Sequence, residues 1–249
     1  MKLSRRRFAA STGLFALSGL TGAPAVHAAA AGLRSDGTPG RIIHLVSDGM
    51  SAGTFSCADQ FSWLVRKRPL AWTTLHQRAD AVTALVNMRS LNSLVTDSAA
   101  AASSWGCGSR VRNGSLNVLP DGRELKPLYD VFGDKDWARG LVTTTEITHA
   151  TPAGFAANAL DRGGAELIAT QYLDRGIEVL LGGGEQFFDP ASRADKRDLK
   201  ADYRAKGYRV MGSRSELESA PASGRWLGTF TRSQDRKSTR LNSSHRIRS

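Results

Sequence analysis

Cysteine is nearly absent from the 249 residues: Cys57 and Cys107 are the only two. That excludes a disulfide-dense scaffold, and with no C-x-x-C pair there is no zinc-finger spacing either. An exported protein can join the two, and two buried free thiols read equally well. Proline is sparse at 8 residues, and no stretch reaches about 18 consecutive apolar positions, so neither a collagen-like repeat nor a membrane span is expected. Acidic residues are outnumbered, 23 against 34 Lys and Arg, for a formal charge of +11. Four of those net charges lie in residues 1–31 and five in residues 232–249, which leaves two for the 200 residues between. Phosphate-backbone binding needs clustered charge, so no nucleic-acid partner is expected. The remaining composition, 41% hydrophobic and 23% charged, is that of a globular domain.

The basic N-terminus has its own logic. Arg5-Arg6-Arg7-Phe8 precedes a mild apolar stretch to Leu20, then Pro24 and small residues from Ala25 to Ala31. A basic start, a short apolar middle and an Ala-rich end make a signal peptide over 1–31, and the paired arginines resemble a twin-arginine signal. Export to the periplasm or cell exterior is expected. Residues 32–40 read as a linker. Residues 232–249, rich in Ser and Arg with little to bury, read as a non-native tail resembling translated junction sequence.

Between these ends the pattern alternates. Strands are expected at Arg41–Ser47, Gly140–Thr145, Ile177–Leu181 and Tyr208–Met211, and an extended stretch at Ala79–Val86. Helices are expected at about Ser51–Arg68, Ser98–Ser104, Leu125–Phe132, Ala165–Leu173, Arg193–Lys206 and Ser213–Leu217. Another should start from Thr151 as N-cap, with Pro152 at the first helical position, and run to about Leu160. Asn113-Gly114 marks a tight turn. Such alternation argues for an α/β fold, a mostly parallel sheet with helices on both faces. Ligands of such sheets collect beyond the carboxyl ends of the strands, where Asp48, the Thr145–Thr151 loop and Gly182-Gly183-Gly184 fall.

Four pieces carry chemistry, each with a plain alternative. Asp48 is a turn-former before Gly49 or a metal ligand. Ser98 is a helix cap or a hydroxyl held where helix N–H groups favour an anion. A serine hydroxyl is a poor nucleophile until a base or metal stabilises its alkoxide. No G-x-S-x-G elbow surrounds Ser98, so metal activation is the better reading. His149 and Thr151 are loop and cap residues or ligands. Arg162 is a solvated helix-end arginine or a bidentate clamp on phosphate oxygens.

Taken together and in order, HLVSDGM, SLVTDSAAAASSWGCG, the NGSL turn, VTTTEITHATPAGFAANALDR, VLLGGGEQFF, KGYRV and WLGTF resemble the alkaline phosphatase family from about Arg41 to Phe230. The resemblance implies two zinc ions and one magnesium, with phosphate monoesters of small molecules as substrates. It implies Ser98 as the nucleophile forming a phosphoserine, and Arg162, steadied by Asp97, on the substrate phosphate. Asp48, Ser98, Thr151 and His149 are then metal ligands, His149 at a position that is Asp in some members. Sulfatases, neighbours in the superfamily, need a C/S-x-P-x-R pattern that Ser98 lacks. Family members continue for roughly as many residues again and draw most metal ligands from that half. Residues 41–231 are therefore expected to be the N-terminal part of such a domain. Two outcomes stay open: a metal-dependent phosphomonoesterase, homodimeric if full length, or a non-catalytic secreted α/β fragment with at most weak phosphate binding.

Overall fold

The computed structural model describes residues 40–234, so the signal peptide, nearly all of the linker and most of the tail lie outside the described residues. The chain divides into two compact units, one to Leu85 and one from Val86 onward.

The described part of the first unit is helical. Helix α1 (Ala52–Arg66) starts at Ser51, whose side chain accepts from the Thr54 N–H, and ends at Lys67 in the left-handed region. Pro69 follows, and α2 (Ala71–His76) begins on the far side of the turn. Asp59 joins the helices: its carboxylate accepts from the Leu70 N–H at 2.9 Å and the Thr73 hydroxyl at 2.7 Å. Those bonds hold its pKa below the usual carboxylate value.

Residues 41–47, expected as a buried strand, are not one. No described strand pairs with them, and Ile42, Ile43, Leu45 and Val46 are exposed. Apolar and β-branched content favours extension, but a strand exists only when neighbouring backbone takes up its N–H and C=O groups. The stretch at 79–86 likewise joins no ladder.

The second unit holds a four-stranded parallel sheet of β1 (Gly140–Glu146), β2 (Val179–Gly183), β3 (Tyr208–Met211) and β4 (Arg225–Thr229), ordered β1-β2-β4-β3. Its register places Leu141, Leu180, Leu227 and Val210 in one row across the strands. Helices α3 (Ser98–Gly106), α4 (Leu128–Gly133), α5 (Ala150–Ala153), α6 (Ala165–Asp174), α7 (Leu199–Ala205) and α8 (Arg214–Glu218) complete the unit. Ile168 and Leu173 of α6 and Leu199 of α7 join the sheet leucines in one core. Three buried tyrosines anchor it through hydroxyls that donate to carbonyls: Tyr172 to Ile147, Tyr203 to Ala169 and Tyr208 to Ile177. A buried hydroxyl left without a partner would be costly. Burial pushes the pKa of all three upward.

Two expected helices are shorter than the pattern implied. The segment after His149 is helical for only four residues, and its N-cap is His149 rather than Thr151. Asn117, fully buried, explains the stop. Its amide donates to the carbonyls of Gly154 and Ala157 and diverts them from continued helix. Similarly, the run from Arg193 turns helical only at Leu199, because the Arg193 guanidinium is buried against Asp195 and the Phe187 carbonyl. Strand β4 has no counterpart among the expected strands.

Helix α3 packs on α5 by a contact that only glycine permits. A Cβ on Gly106 would lie 1.8 Å from the Gly154 carbonyl oxygen, and one on Gly154 would lie 2.4 Å from the Ala102 Cβ. Gly106→Ala is therefore expected to destabilise the protein by about 3 kcal/mol, the upper end for overpacking. Gly53→Ala, whose Cβ would meet only the Ser51 hydroxyl at 3.7 Å, should be neutral or gain up to about 1 kcal/mol of helix propensity. Urea unfolding of both variants checks this; equal stabilities would refute the close-contact account.

Candidate functional site

Asp97 is where the site begins. Its backbone is extended and its carboxylate faces three donors. Oδ1 accepts from the Ala100 N–H at 2.9 Å, which caps α3. Oδ2 accepts from the Gly114 N–H at 2.9 Å and from Arg162 Nη1 at 3.2 Å. Ser98, next in the chain, is the first residue of α3, where unpaired N–H groups and the helix dipole favour negative charge.

Arg162 reaches this point from 65 residues away because of a local antiparallel bridge. Leu116 and Ala159 exchange both backbone hydrogen bonds, at 2.8 and 2.9 Å. Just to one side of it, the Ser115 hydroxyl donates to the Leu160 carbonyl and the Arg162 N–H to the Gly114 carbonyl at 2.7 Å. The bridge thus aligns residues 114–116 with 159–162 and delivers the arginine to the start of α3. The Asp97 and Arg162 side chains are 27% and 30% exposed, so a small anion can reach the guanidinium from solvent.

His149 closes the other side. Its Nε2 lies 3.3 Å from Arg162 Nη2, and its Nδ1 faces the Thr151 N–H at 3.4 Å. A neutral imidazole accepts at one nitrogen only. Protonating the ring would place a second cation against the guanidinium. One ring nitrogen thus faces the guanidinium and the other the Thr151 N–H.

The second unit thus brings Asp97, Ser98, His149, Thr151 and Arg162 to adjoining helix starts. Asp48 belongs to the first unit, on an exposed turn with Gly49 at φ 70°. Among the described residues no group of three or more His, Cys, Asp or Glu side chains gathers to hold a metal ion. A zinc ion takes about four ligands. Asp48, His149 and Thr151 offer suitable donor atoms, but they do not make up a complete site for zinc or magnesium.

Both cysteines are free thiols. Cys107 donates to the Ser103 carbonyl at 3.1 Å, and burial pushes its pKa up, which suits a packing role rather than a nucleophile. The residues that sequence reasoning did not single out are Asn92 and Asn113. The only local signal was the Asn113-Gly114 dipeptide, which reads as a turn and nothing more.

Replacing Asp97 separates its tasks. Asp97→Ala removes the α3 cap and strands the Gly114 N–H, and is expected to cost about 1–2 kcal/mol. Asp97→Asn keeps one oxygen for the cap but turns an NH2 group toward the Gly114 N–H and the guanidinium, so it loses the Gly114 bond and the partly exposed ion pair, at about 0.5–1 kcal/mol. Equal losses in urea unfolding would show that the cap is not the stabilising part.

The family model described as "Alkaline phosphatase" matches residues 40–240. Streptomycin-6-phosphate phosphatase of Streptomyces griseus is similar at 34% identity over 86% of this chain and 52% of that protein. Among solved structures, Thermus thermophilus alkaline phosphatase is similar at 42% identity and a TM-score of 0.72, covering 76% of this chain and 39% of that one. A His 135 Glu mutant of the alkaline phosphatase from the Antarctic bacterium TAB5, solved with Mg bound in its M3 site, is similar at 26% identity and a TM-score of 0.60. That match covers 71% of this chain and 50% of the other. The chain spans about a quarter to a half of the length of the curated relatives it matches.

Proposed function

Because this chain belongs to the alkaline phosphatase family, we propose that it carries the phosphate-binding and nucleophile-bearing part of a phosphate monoester hydrolase. The observation that carries the reading is the Asp97–Arg162 pair at the start of α3, where Ser98 stands. Arg162 binds two oxygens of the phosphoryl group through its planar fork, and Asp97 holds that fork in place. Ser98 is the nucleophile: its oxygen forms the bond to phosphorus as the ester P–O bond breaks, the serine proton ending on the departing alcohol, and water then hydrolyses the phosphoserine to serine and inorganic phosphate. The α3 N–H groups and the guanidinium share the negative charge.

In the family reading, two zinc ions and one magnesium would supply hydroxyl activation and leaving-group stabilisation, with Asp48, Thr151 and His149 among their ligands. The residues described here do not complete such a site, so no step is assigned to a metal. The reading for this chain is phosphate binding with at most trace turnover; a non-catalytic fragment is the limit of the same reading.

Arg162→Ala is expected to weaken binding of inorganic phosphate by the 249-residue chain about tenfold or more, the scale of a charged hydrogen bond of about 1.5–3 kcal/mol. Ser98→Ala should leave that affinity within about twofold, because the hydroxyl is the attacking group rather than the clamp. Calorimetric titration distinguishes the two. Unchanged binding by Arg162→Ala overturns the clamp, and full turnover of an aryl phosphate by the chain with added zinc and magnesium overturns the reading of this chain as binding without chemistry.

We also propose that residues 1–31 direct export through the twin-arginine route. The support is Arg5-Arg6 before a mildly apolar stretch and an Ala-rich end, an address read by a receptor. Changing Arg5 and Arg6 to Lys should retain in the cytoplasm a reporter fused after Ala31. Normal export of the double variant would reject the route.

A further inference from the structure

The Asn113-Gly114 turn holds both members of the Asp97–Arg162 pair, although neither turn residue lies in the pair. Asn113 is fastened to the segment leading into α3 at three points. Its N–H donates to Asn92 Oδ1 at 2.9 Å, its Nδ2 donates to the Val95 carbonyl at 3.0 Å, and its Oδ1 accepts from the Asp97 N–H at 3.1 Å. Gly114 then faces the other way. Its N–H donates to Asp97 Oδ2 at 2.9 Å, and its carbonyl accepts from the Arg162 N–H at 2.7 Å. Gly114 sits at φ 88°, a conformation that a side chain would strain, so the turn reverses direction there. One dipeptide thereby ties residues 92–97 on one side to the Arg162 backbone on the other.

We propose that Asn113 is a positioning residue: through Gly114 it sets the separation between the Ser98 end of α3 and the Arg162 guanidinium. This rests on the phosphate-binding reading above and names the residue that makes the site rigid. Asn113 makes none of its three bonds to Ser98 or to the guanidinium, so it acts through the turn rather than on phosphate. The side chain must present a donor and an acceptor at once. Aspartate lacks the donor for Val95, and alanine lacks both groups. Arginine is long and rich in rotamers, and a clamp fixed in advance binds more tightly than one that must be ordered on binding.

The test uses the 249-residue chain with Asn113→Ala, Arg162→Ala and the double variant, and Asn92→Ala as a milder change at the same junction. Amide hydrogen exchange at Gly114 and Arg162 reports the placement without any ligand. Asn113→Ala should accelerate both amides about tenfold or more while the Leu116 and Ala159 amides of the bridge keep their protection. Asn92→Ala should shift the same amides in the same direction by less, and it carries the test if Asn113→Ala does not fold. Inorganic phosphate is the probe for binding. Asn113→Ala should weaken it about fivefold, and the double variant should bind no more weakly than Arg162→Ala alone, because Asn113 acts through the guanidinium. Unchanged exchange at Gly114 and Arg162 would overturn the proposal. So would an Asn113→Ala effect of the same factor with and without Arg162. Phosphate binding indifferent to Arg162→Ala would instead overturn the phosphate reading, while exchange still decides the placement.

Discussion

The carboxylate of Asp97 is shared among a helix start, a turn and an arginine, and the second unit's site depends on that sharing. One oxygen satisfies the α3 N-terminus; the other receives the Gly114 N–H and the Arg162 guanidinium. An aspartate at an N-cap ordinarily serves its own helix. Here its second oxygen fixes the orientation of a side chain distant in sequence. A partly exposed ion pair is worth little to stability, so the pair is better understood as geometry. It holds a cation beside a helix N-terminus, where both favour the same anion.

That geometry needs a rigid base, and the glycine contact between α3 and α5 supplies it. With Gly106 against the Gly154 carbonyl, the two helices meet backbone to backbone, and their starts carry Ser98 on one and His149 and Thr151 on the other. Asn117 locks the contact, its N–H bonded to the Ser103 hydroxyl and its amide to the Gly154 and Ala157 carbonyls. A neighbouring polar mesh does the same for the next turn. Asn158 donates to the carbonyls of Asn117 and Leu125, and its side-chain oxygen accepts from Arg175. Buried amides used this way trade burial cost for a single arrangement of the backbone.

What was legible in the sequence follows from how local each cause is. Helix α1 with its Ser51 cap, α3, α6, β1 and β3 are announced by their own residues, as are the Ser98 helix start and the Asn113-Gly114 turn. Residues 41–47 carry the composition of a strand, but pairing is a property of neighbours, and no described strand pairs with them. Strand β4 sits between β2 and β3, an order that no stretch of residues encodes by itself. Thr151-Pro152 reads as a cap and first turn, yet His149 takes the cap and Asn117, more than thirty residues earlier, ends the helix. In the candidate site, Ser98, Asp97 and Arg162 stand out by motif order, and the fold brings Asp97 and Arg162 together. The role of Asn113 does not, because it consists of hydrogen bonds to residues 16 to 21 positions away.

The chemistry available to these side chains sets a boundary between holding a phosphate and cleaving its ester. Binding needs fixed positive charge and N–H donors, and in the proposed function Arg162 with the start of α3 is what provides them. Cleavage needs in addition a route for the serine proton and a stabiliser for the departing oxygen. Asp97 is committed to three donors. His149 has its ring nitrogens turned toward Arg162 Nη2 at 3.3 Å and the Thr151 N–H at 3.4 Å. Both neighbouring groups are therefore engaged with Arg162. Ser98 stands half-exposed at the first position of α3, open to groups other than these three side chains.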